Sequence, residues 1–135
     1  MTMNDASRTS YLGLIRLQKL AKARHELELS RLNAKQAAIK EENDALFRMQ
    51  EDRFVVGASA SVPVHIILMR LETNKSLQAQ LSEQVVEAKR NLLKASRTLD
   101  TLESRLRDLT KRISRAEIAE EADEYMGHLL GRHAI

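Results

Sequence analysis

The strongest constraint in this sequence is an unbroken series of apolar residues in its second half. Consecutive members alternate between spacings of four and three over five heptads. They are Leu81, Val85, Ala88, Leu92, Ala95, Leu99, Leu102, Leu106, Leu109, Ile113 and Ala116. A 3.5-residue repeat sustained over this length predicts a left-handed coiled coil. The alternative, a surface helix on a globular body, would show a broader stripe of period 3.6 and would need a second apolar body to cover it.

One short stretch divides the chain into two helical halves. Residues 56–63 contain Gly57, which is suited to end a helix, and Ser61, which is suited to cap the next one. Pro63 fits the first turn of that second helix. We therefore predict a single all-α domain, in which two long helices form an antiparallel coiled-coil hairpin. Helix 1 covers about 5–56, the turn about 57–62 and helix 2 about 63–130, so that the second helix overhangs the first at its C-terminal end.

The first helix has a less regular pattern. Its apolar residues form two stripes, Tyr11, Leu14, Leu17 and Ala21, then Leu29, Leu32, Ile39 and Leu46. The offset between them, near Arg24–His25, predicts a stutter. Polar residues occupy coiled-coil positions toward the turn, namely Gln36, Asn43, Asn74 and Gln78. A hairpin that closes at 57–63 would place Asn43 near Gln78, and such polar pairs fix the register of a coiled coil at some cost in stability.

Charge is distributed unevenly around a net value of +3. A basic belt is predicted at the end of the hairpin that holds the termini: Arg8, Arg16, Lys19, Lys22, Arg24, Arg105, Arg107, Lys111, Arg112 and Arg115. Residues 117–126 follow with five acids and no base. The belt is either a solvated helix flank or a docking surface for an acidic protein. Nucleic acid is a weaker interpretation, because no aromatic stacking platform accompanies the charges and the acidic run repels phosphates.

The sequence gives no sign of catalysis. Without cysteine it has neither disulfides nor thiolate metal sites, and its histidines lack metal-binding spacing. No catalytic or nucleotide-binding motif occurs, so we predict a protein that is not an enzyme and uses no cofactor or metal. The apolar runs are far shorter than the roughly 20 residues of a spanning helix. We therefore predict a cytoplasmic chain without direct membrane insertion, whose link to a membrane passes through a partner.

Apolar residues crowd both sides of the predicted turn. Phe47 and Phe54 approach it, and a second group leaves it: Val62, Val64, Ile66, Ile67, Leu68, Met69 and Leu71. One stripe, consisting of Val64, Ile67, Leu68 and Leu71, is expected to face helix 1. Ile66 and Met69 then point elsewhere, so some apolar surface should be exposed. It serves either as a docking patch or for local packing, with Phe54 folded over the turn.

Several segments resemble the FliJ/YscO family of type III export stalk proteins. These are the Ile-Arg-Leu-Gln-Lys-Leu sequence that ends at Leu20, the segment Val64 to Glu72, and the C-terminal segment Ala122 to Met126. The resemblance implies a hairpin similar to the two-helix shaft of the γ subunit of rotary ATPases. It further implies as partners a hexameric export ATPase, the cytoplasmic part of an export gate at the membrane, and secretion chaperones. Weak self-association is a further expectation.

The resemblance and the charge pattern together give two sets of site residues. The residues predicted to face the ATPase are Tyr11, Leu14, Ile15, Arg16, Lys19, Arg105, Arg112, Arg115, Tyr125, Met126 and Leu129. Those predicted to face the export gate are Phe47, Phe54, Ile67 and Leu71. Asn74 departs from the family, which tends to have a small apolar residue there. The alternative functions are a generic coiled-coil scaffold, a chaperone-like helical hairpin, or a rod that associates with nucleic acid.

Overall fold

The computed structural model describes residues 3–55 and 62–133, and describes the side chains of residues 5–52 and 62–131. Two helices account for almost all of this part of the chain: α1 spans Met3–Val55 and α2 spans Val64–His133. The helices pack against each other, and no strand occurs within the described ranges. The predicted all-α helical hairpin is therefore confirmed.

The start of α2 differs slightly from the prediction. The carbonyl oxygen of Pro63 accepts hydrogen bonds from the backbone N–H groups of Ile66 (3.1 Å) and Ile67 (3.3 Å). Because its carbonyl takes the first bonds of the helix while Val64 is the first helical residue, Pro63 occupies the N-cap rather than the first turn. Gly57 and Ser61, the predicted helix end and cap, lie outside the described residues.

Packing divides the chain into two units, each containing a segment of both helices. The terminal unit consists of Met1–Ala21 and Ala95–Ile135, and the central unit consists of Lys22–Lys94. In both units the side chains that pack between the helices follow the coiled-coil spacing. We call this line of side chains the seam.

The core of the central unit is a cluster of aliphatic side chains. Leu32 of α1 is only 1% exposed and packs among Leu81, Val85 and Ala88 of α2. The buried and half-buried seam positions of α2 are Val64, Ile67, Leu71, Asn74, Gln78, Leu81, Val85, Ala88 and Leu92. The heptad repeat predicted from Leu81 onward thus extends to the start of α2. Leu68, which was expected to face α1, is exposed.

The antiparallel arrangement is visible in cross-helix contacts of the central unit. Glu42 pairs with Arg70 and Asn43 with Asn74, near the start of α2. Leu32, earlier in α1, packs instead against residues later in α2. Residues with lower numbers in α1 therefore contact residues with higher numbers in α2, which defines antiparallel helices.

The seam of the terminal unit is asymmetric between the two helices. α2 contributes a wholly apolar set, Ala95, Leu99, Leu102, Leu106, Leu109 and Ile113. α1 contributes Tyr11, Ile15 and the polar Gln18. The predicted stripe through Leu14 and Leu17 is wrong, because both leucines are exposed and Ile15 is buried in their place.

The stutter predicted near Arg24–His25 is also wrong. Ile15, Gln18, Lys22, His25 and Leu29 are all buried or half-buried, at alternating spacings of three and four. A regular heptad therefore runs through this part of α1. It is hidden in the sequence because polar side chains occupy several of its positions.

Beyond Ile113 the seam ends. Side chains 114–128 are all exposed, including Ala116, which was predicted to be the last seam residue. The side chains of 5–10 in α1 are exposed as well, so the packed part of the terminal unit begins at Tyr11. We call residues 114–131 of α2 the overhang.

Candidate docking surfaces

An open groove runs along the terminal unit. Two adjoining depressions form it, with volumes of about 560 and 460 Å³. The first is lined by Ala6, Ser7, Ser10, Tyr11, Leu14, Leu102 and Arg105. The second is lined by Ser7, Tyr11, Arg105, Asp108, Leu109 and Arg112. Because the two share Ser7, Tyr11 and Arg105, we treat them as one feature, the terminal groove.

The residue types of the terminal groove explain its shape and charge. Ala6, Ser7 and Ser10 are short side chains on one side of α1, so they leave the cleft between the helices open. The apolar part of the groove comes from Tyr11 and Leu14 with leucines of α2. Two guanidinium groups and a single carboxylate, that of Asp108, give it a net positive charge. Such a groove suits an amphipathic helix with acidic flanks, since the apolar face is covered while arginines pair with carboxylates.

The residues predicted to face an ATPase divide among the terminal groove, the seam, the overhang and other exposed positions. Tyr11, Leu14, Arg105 and Arg112 line the terminal groove. Ile15 is 7% exposed and belongs to the seam, so its side chain is not accessible in the packed hairpin. Three further basic residues of this set are exposed but do not line the groove: Arg16, Lys19 and Arg115.

The remaining residues of this set lie on the overhang. Tyr125 and Met126 are exposed and Leu129 is half-buried. Ile118, Ala122, Tyr125 and Leu129 recur at spacings of four, three and four, so they share one face of the helix. The acids on the rest of the circumference are Glu117, Glu120, Glu121, Asp123 and Glu124. The overhang is therefore an acidic amphipathic helix whose apolar face is exposed.

The residues predicted to face the export gate divide between the core and the surface of the central unit. Ile67 is 1% exposed and Leu71 is half-buried, because both belong to the seam. Phe47 is exposed, and the side chain of Phe54 lies outside the described residues. The exposed apolar surface expected near the turn is confirmed, and we call it the tip patch. Its members are Phe47, Met49, Ile66, Leu68 and Met69.

A polar cluster crosses between the helices of the central unit. Arg70 donates two hydrogen bonds to the Glu42 carboxylate, through Nε and, at 3.1 Å, through Nη2. The Asn74 amide Nδ2 donates to Asn43 Oδ1 at 2.8 Å. The hydrogen bond from Arg70 lowers the pKa of Glu42, with a smaller contribution from Asn74, and it raises the pKa of Arg70. Asn74 is fully buried, and its Oδ1 has no hydrogen-bond partner among the described residues.

Sequence reasoning found only part of these surfaces. It placed Asn43 opposite Gln78, whereas the partner is Asn74, one helical turn away. It also missed Ser7, Ser10 and Asp108 as groove residues. The i, i+3 spacing of Ser7 and Ser10 is a usable signal, because two small residues on one side of a helix widen the adjacent groove.

The described residues show no arrangement suited to metal chemistry or to membrane insertion. Within residues 3–55 and 62–133, no three histidine or acidic side chains come together as metal ligands. In the same ranges, neither helix has a segment apolar enough and long enough to cross a bilayer.

No protein-family model, no curated protein and no solved structure matches the chain.

Proposed function

We propose that this chain is a non-catalytic stalk or adaptor of a type III protein export apparatus. In this role it links a hexameric export ATPase to the export gate and handles secretion chaperones. The observation that carries the proposal is the terminal unit, in which an apolar groove with arginines lies on the same hairpin as an exposed amphipathic overhang. The accessible apolar and basic surface of the terminal unit supports its docking against a larger partner.

The ATPase end of the proposal rests on accessible residues. Tyr11, Leu14, Arg105 and Arg112 line the groove, and Tyr125 and Met126 are exposed on the overhang. Ile15 supports this surface from the seam. Arg16, Lys19 and Arg115 add positive charge nearby, which favours association with acidic loops of a partner.

The gate end of the proposal rests on the tip patch. Ile67 and Leu71 pack against α1, so their part is to hold the start of α2 in place. The side chains free to contact a gate are Phe47, Ile66, Leu68 and Met69. An exposed group of this kind marks a site of protein interaction more often than an isolated surface leucine does. Through this contact a cytoplasmic chain would be held at the membrane without entering it.

The decisive experiment combines the purified chain with the ATPase of its own export system. We expect the chain to bind the ATPase and stimulate its hydrolysis of ATP, while the chain alone hydrolyses none. The variant Arg105→Glu/Arg112→Glu/Arg115→Glu should bind about tenfold more weakly or worse, and the affinity of the unmodified chain should fall as salt rises. The matched control is Lys75→Glu/Lys89→Glu/Arg97→Glu, which reverses three exposed bases away from the groove.

Two outcomes would contradict the proposal. No binding to the ATPase removes the stalk function and leaves a generic coiled-coil scaffold as the description of the hairpin. Equal losses in the triple variant and in its control would show that net charge, and not the terminal surface, governs the contact.

The gate contact has its own test. Phe47→Ala/Met69→Ala should weaken binding of the cytoplasmic gate domain and leave stimulation of the ATPase unchanged. Leu77→Ala, an exposed apolar residue of the same unit outside the tip patch, is the control. If the double variant binds the gate as well as the control does, the tip patch is not the gate contact.

A further inference from the structure

The overhang and the terminal groove have complementary surfaces on the same chain. The overhang presents an exposed apolar face with acids beside it, and the groove presents an apolar floor with arginines beside it. We propose that the terminal groove of one copy of this chain receives the overhang of a second copy. The two contacts are reciprocal, so they form a closed dimer. This inference uses only the terminal unit and does not depend on the proposed export function.

The apolar part of the match comes from side chains that the hairpin leaves uncovered. On the overhang, Ile118, Tyr125, Met126 and Leu130 are each more than half exposed. On α1, Leu14 lines the groove and is 49% exposed. A helix laid along the groove would cover both sets, because a third helix packs into the cleft between two others much as in a small bundle.

The charge pattern selects the overhang as the occupant. Glu121 lies three residues after Ile118 and four before Tyr125, so it borders one edge of the apolar face. Asp123 lies three residues before Met126 and borders the other edge. Carboxylates at both edges can reach Arg105 and Arg112, which outnumber the one groove carboxylate. The overhang carries no base between residues 117 and 126, so the docked helix brings no like charge to the arginines.

The overhang is longer than the groove. Residues 114–131 form about 27 Å of helix, whereas the groove follows α2 from Leu102 to Arg112 for about 15 Å. A twofold dimer makes this contact twice, once in each groove. Because charged groups lie along both edges, the association should weaken as salt increases.

A charge exchange between two variants tests the inference with the full chain alone. In the first variant, Arg105→Glu/Arg112→Glu, the groove becomes acidic and repels the overhang. In the second, Glu121→Lys/Asp123→Lys, the overhang becomes basic and repels the groove. Sedimentation velocity over a concentration series should show dimers for the unmodified chain and a dissociation constant raised about tenfold or more for each variant.

Mixing the two variants in equal amounts should restore the dimer as a heterodimer. One of its contacts joins the acidic groove to the basic overhang, and the other joins the original groove to the original overhang. The control Arg107→Glu/Lys111→Glu makes the same change in charge within the same helix, at exposed residues that do not line the groove. It should dimerise like the unmodified chain, and circular dichroism should show equal helicity for all forms.

Three results would overturn the inference. One is an unmodified chain that stays monomeric at every concentration and salt. Another is a dimer that both variants leave intact, which would place the contact elsewhere, such as the tip patch. The third is a mixture of the two variants that dissociates as readily as each variant alone.

Discussion

Replacing Asn74 by leucine should stabilise the hairpin, although it removes a hydrogen bond between the helices. Asn74 is 0% exposed, and no group in the described part of the chain donates a hydrogen bond to its buried Oδ1. An unsatisfied buried carbonyl costs about 1–3 kcal/mol, and burying a leucine side chain contributes about 1.5–3 kcal/mol. Against this stand about 1 kcal/mol for the lost bond to Asn43 and about 1–3 kcal/mol for fitting a larger side chain. The net gain in the free energy of unfolding is about 1–2 kcal/mol.

Urea unfolding followed by circular dichroism measures this gain. With a typical denaturant slope of about 1–3 kcal/mol/M, the midpoint for Asn74→Leu should rise by roughly 0.5–1 M. The control is Gln78→Leu, at the next seam position of α2. Gln78 is half-buried, so its amide reaches water. Replacing it therefore does not remove a buried polar atom that lacks a hydrogen bond. The gain at Gln78 should therefore be smaller than the gain at Asn74.

The gain in stability should come with a loss of specificity. Asn74 and Asn43 form a hydrogen bond only in this register, so an apolar residue at 74 permits neighbouring registers and parallel association. Sedimentation of Asn74→Leu should then show mixed oligomers. A variant that is less stable than the unmodified chain by about 1 kcal/mol or more would refute the reasoning, because Oδ1 would then have a partner, such as a buried water.

The remaining predictions concern the central ion pair and the packing of individual leucines. Glu42 has a lowered pKa in the folded chain, so its pairing with Arg70 stabilises the fold above the ordinary glutamate value of 4.5 and is lost as pH falls through the lowered pKa. The stability difference between the unmodified chain and Glu42→Gln, measured by urea unfolding, should therefore be present near neutral pH and vanish in strong acid; a difference that persists in strong acid would contradict it. Leu32→Ala should lower the free energy of unfolding by about 2–4 kcal/mol, because Leu32 is 1% exposed in the core cluster. Leu17→Ala should change it by less than about 0.5 kcal/mol, because Leu17 is 65% exposed, and equal effects at the two leucines would contradict the described seam.

The sequence predicted α2 well because a strict heptad repeat determines which face of that helix is buried. Leu81, Val85 and Ala88 follow a strict heptad and bury the same face that the pattern indicates. The antiparallel arrangement was predicted from the one stretch that contains turn-forming residues, 56–63. What the pattern could not supply is the exact pairing across the hairpin. A shift of one helical turn keeps the apolar side chains in the seam, so specific cross-helix contacts, such as the hydrogen bond between Asn43 and Asn74 and the pair of Glu42 with Arg70, distinguish the two alignments.

The sequence predicted α1 poorly because several of its leucines do not lie on the face that packs against α2. Leu14 and Leu17 suggest a stripe, yet the seam runs through Ile15, Gln18 and Lys22. Helical periodicity shows which residues share a face, but it does not show which face meets the partner helix. That choice depends on α2, whose continuous seam covers whichever side of α1 gives the best packing along both helices. Ile67 was expected from its apolar stripe to face α1 and from the resemblance to contact an export gate, and its burial in the seam agrees with the first of these expectations.

The leucines left outside the seam bear on function as well as on folding. α1 contains eight leucines, and five are exposed: Leu12, Leu14, Leu17, Leu20 and Leu27. Polar side chains such as Gln18, His25 and Gln36 occupy seam positions where these leucines would have increased apolar burial. A hairpin that functioned alone would be more stable with the two sets exchanged. The exposed leucines are therefore available for contact with a partner protein or with a second copy of this chain, as the two proposals require.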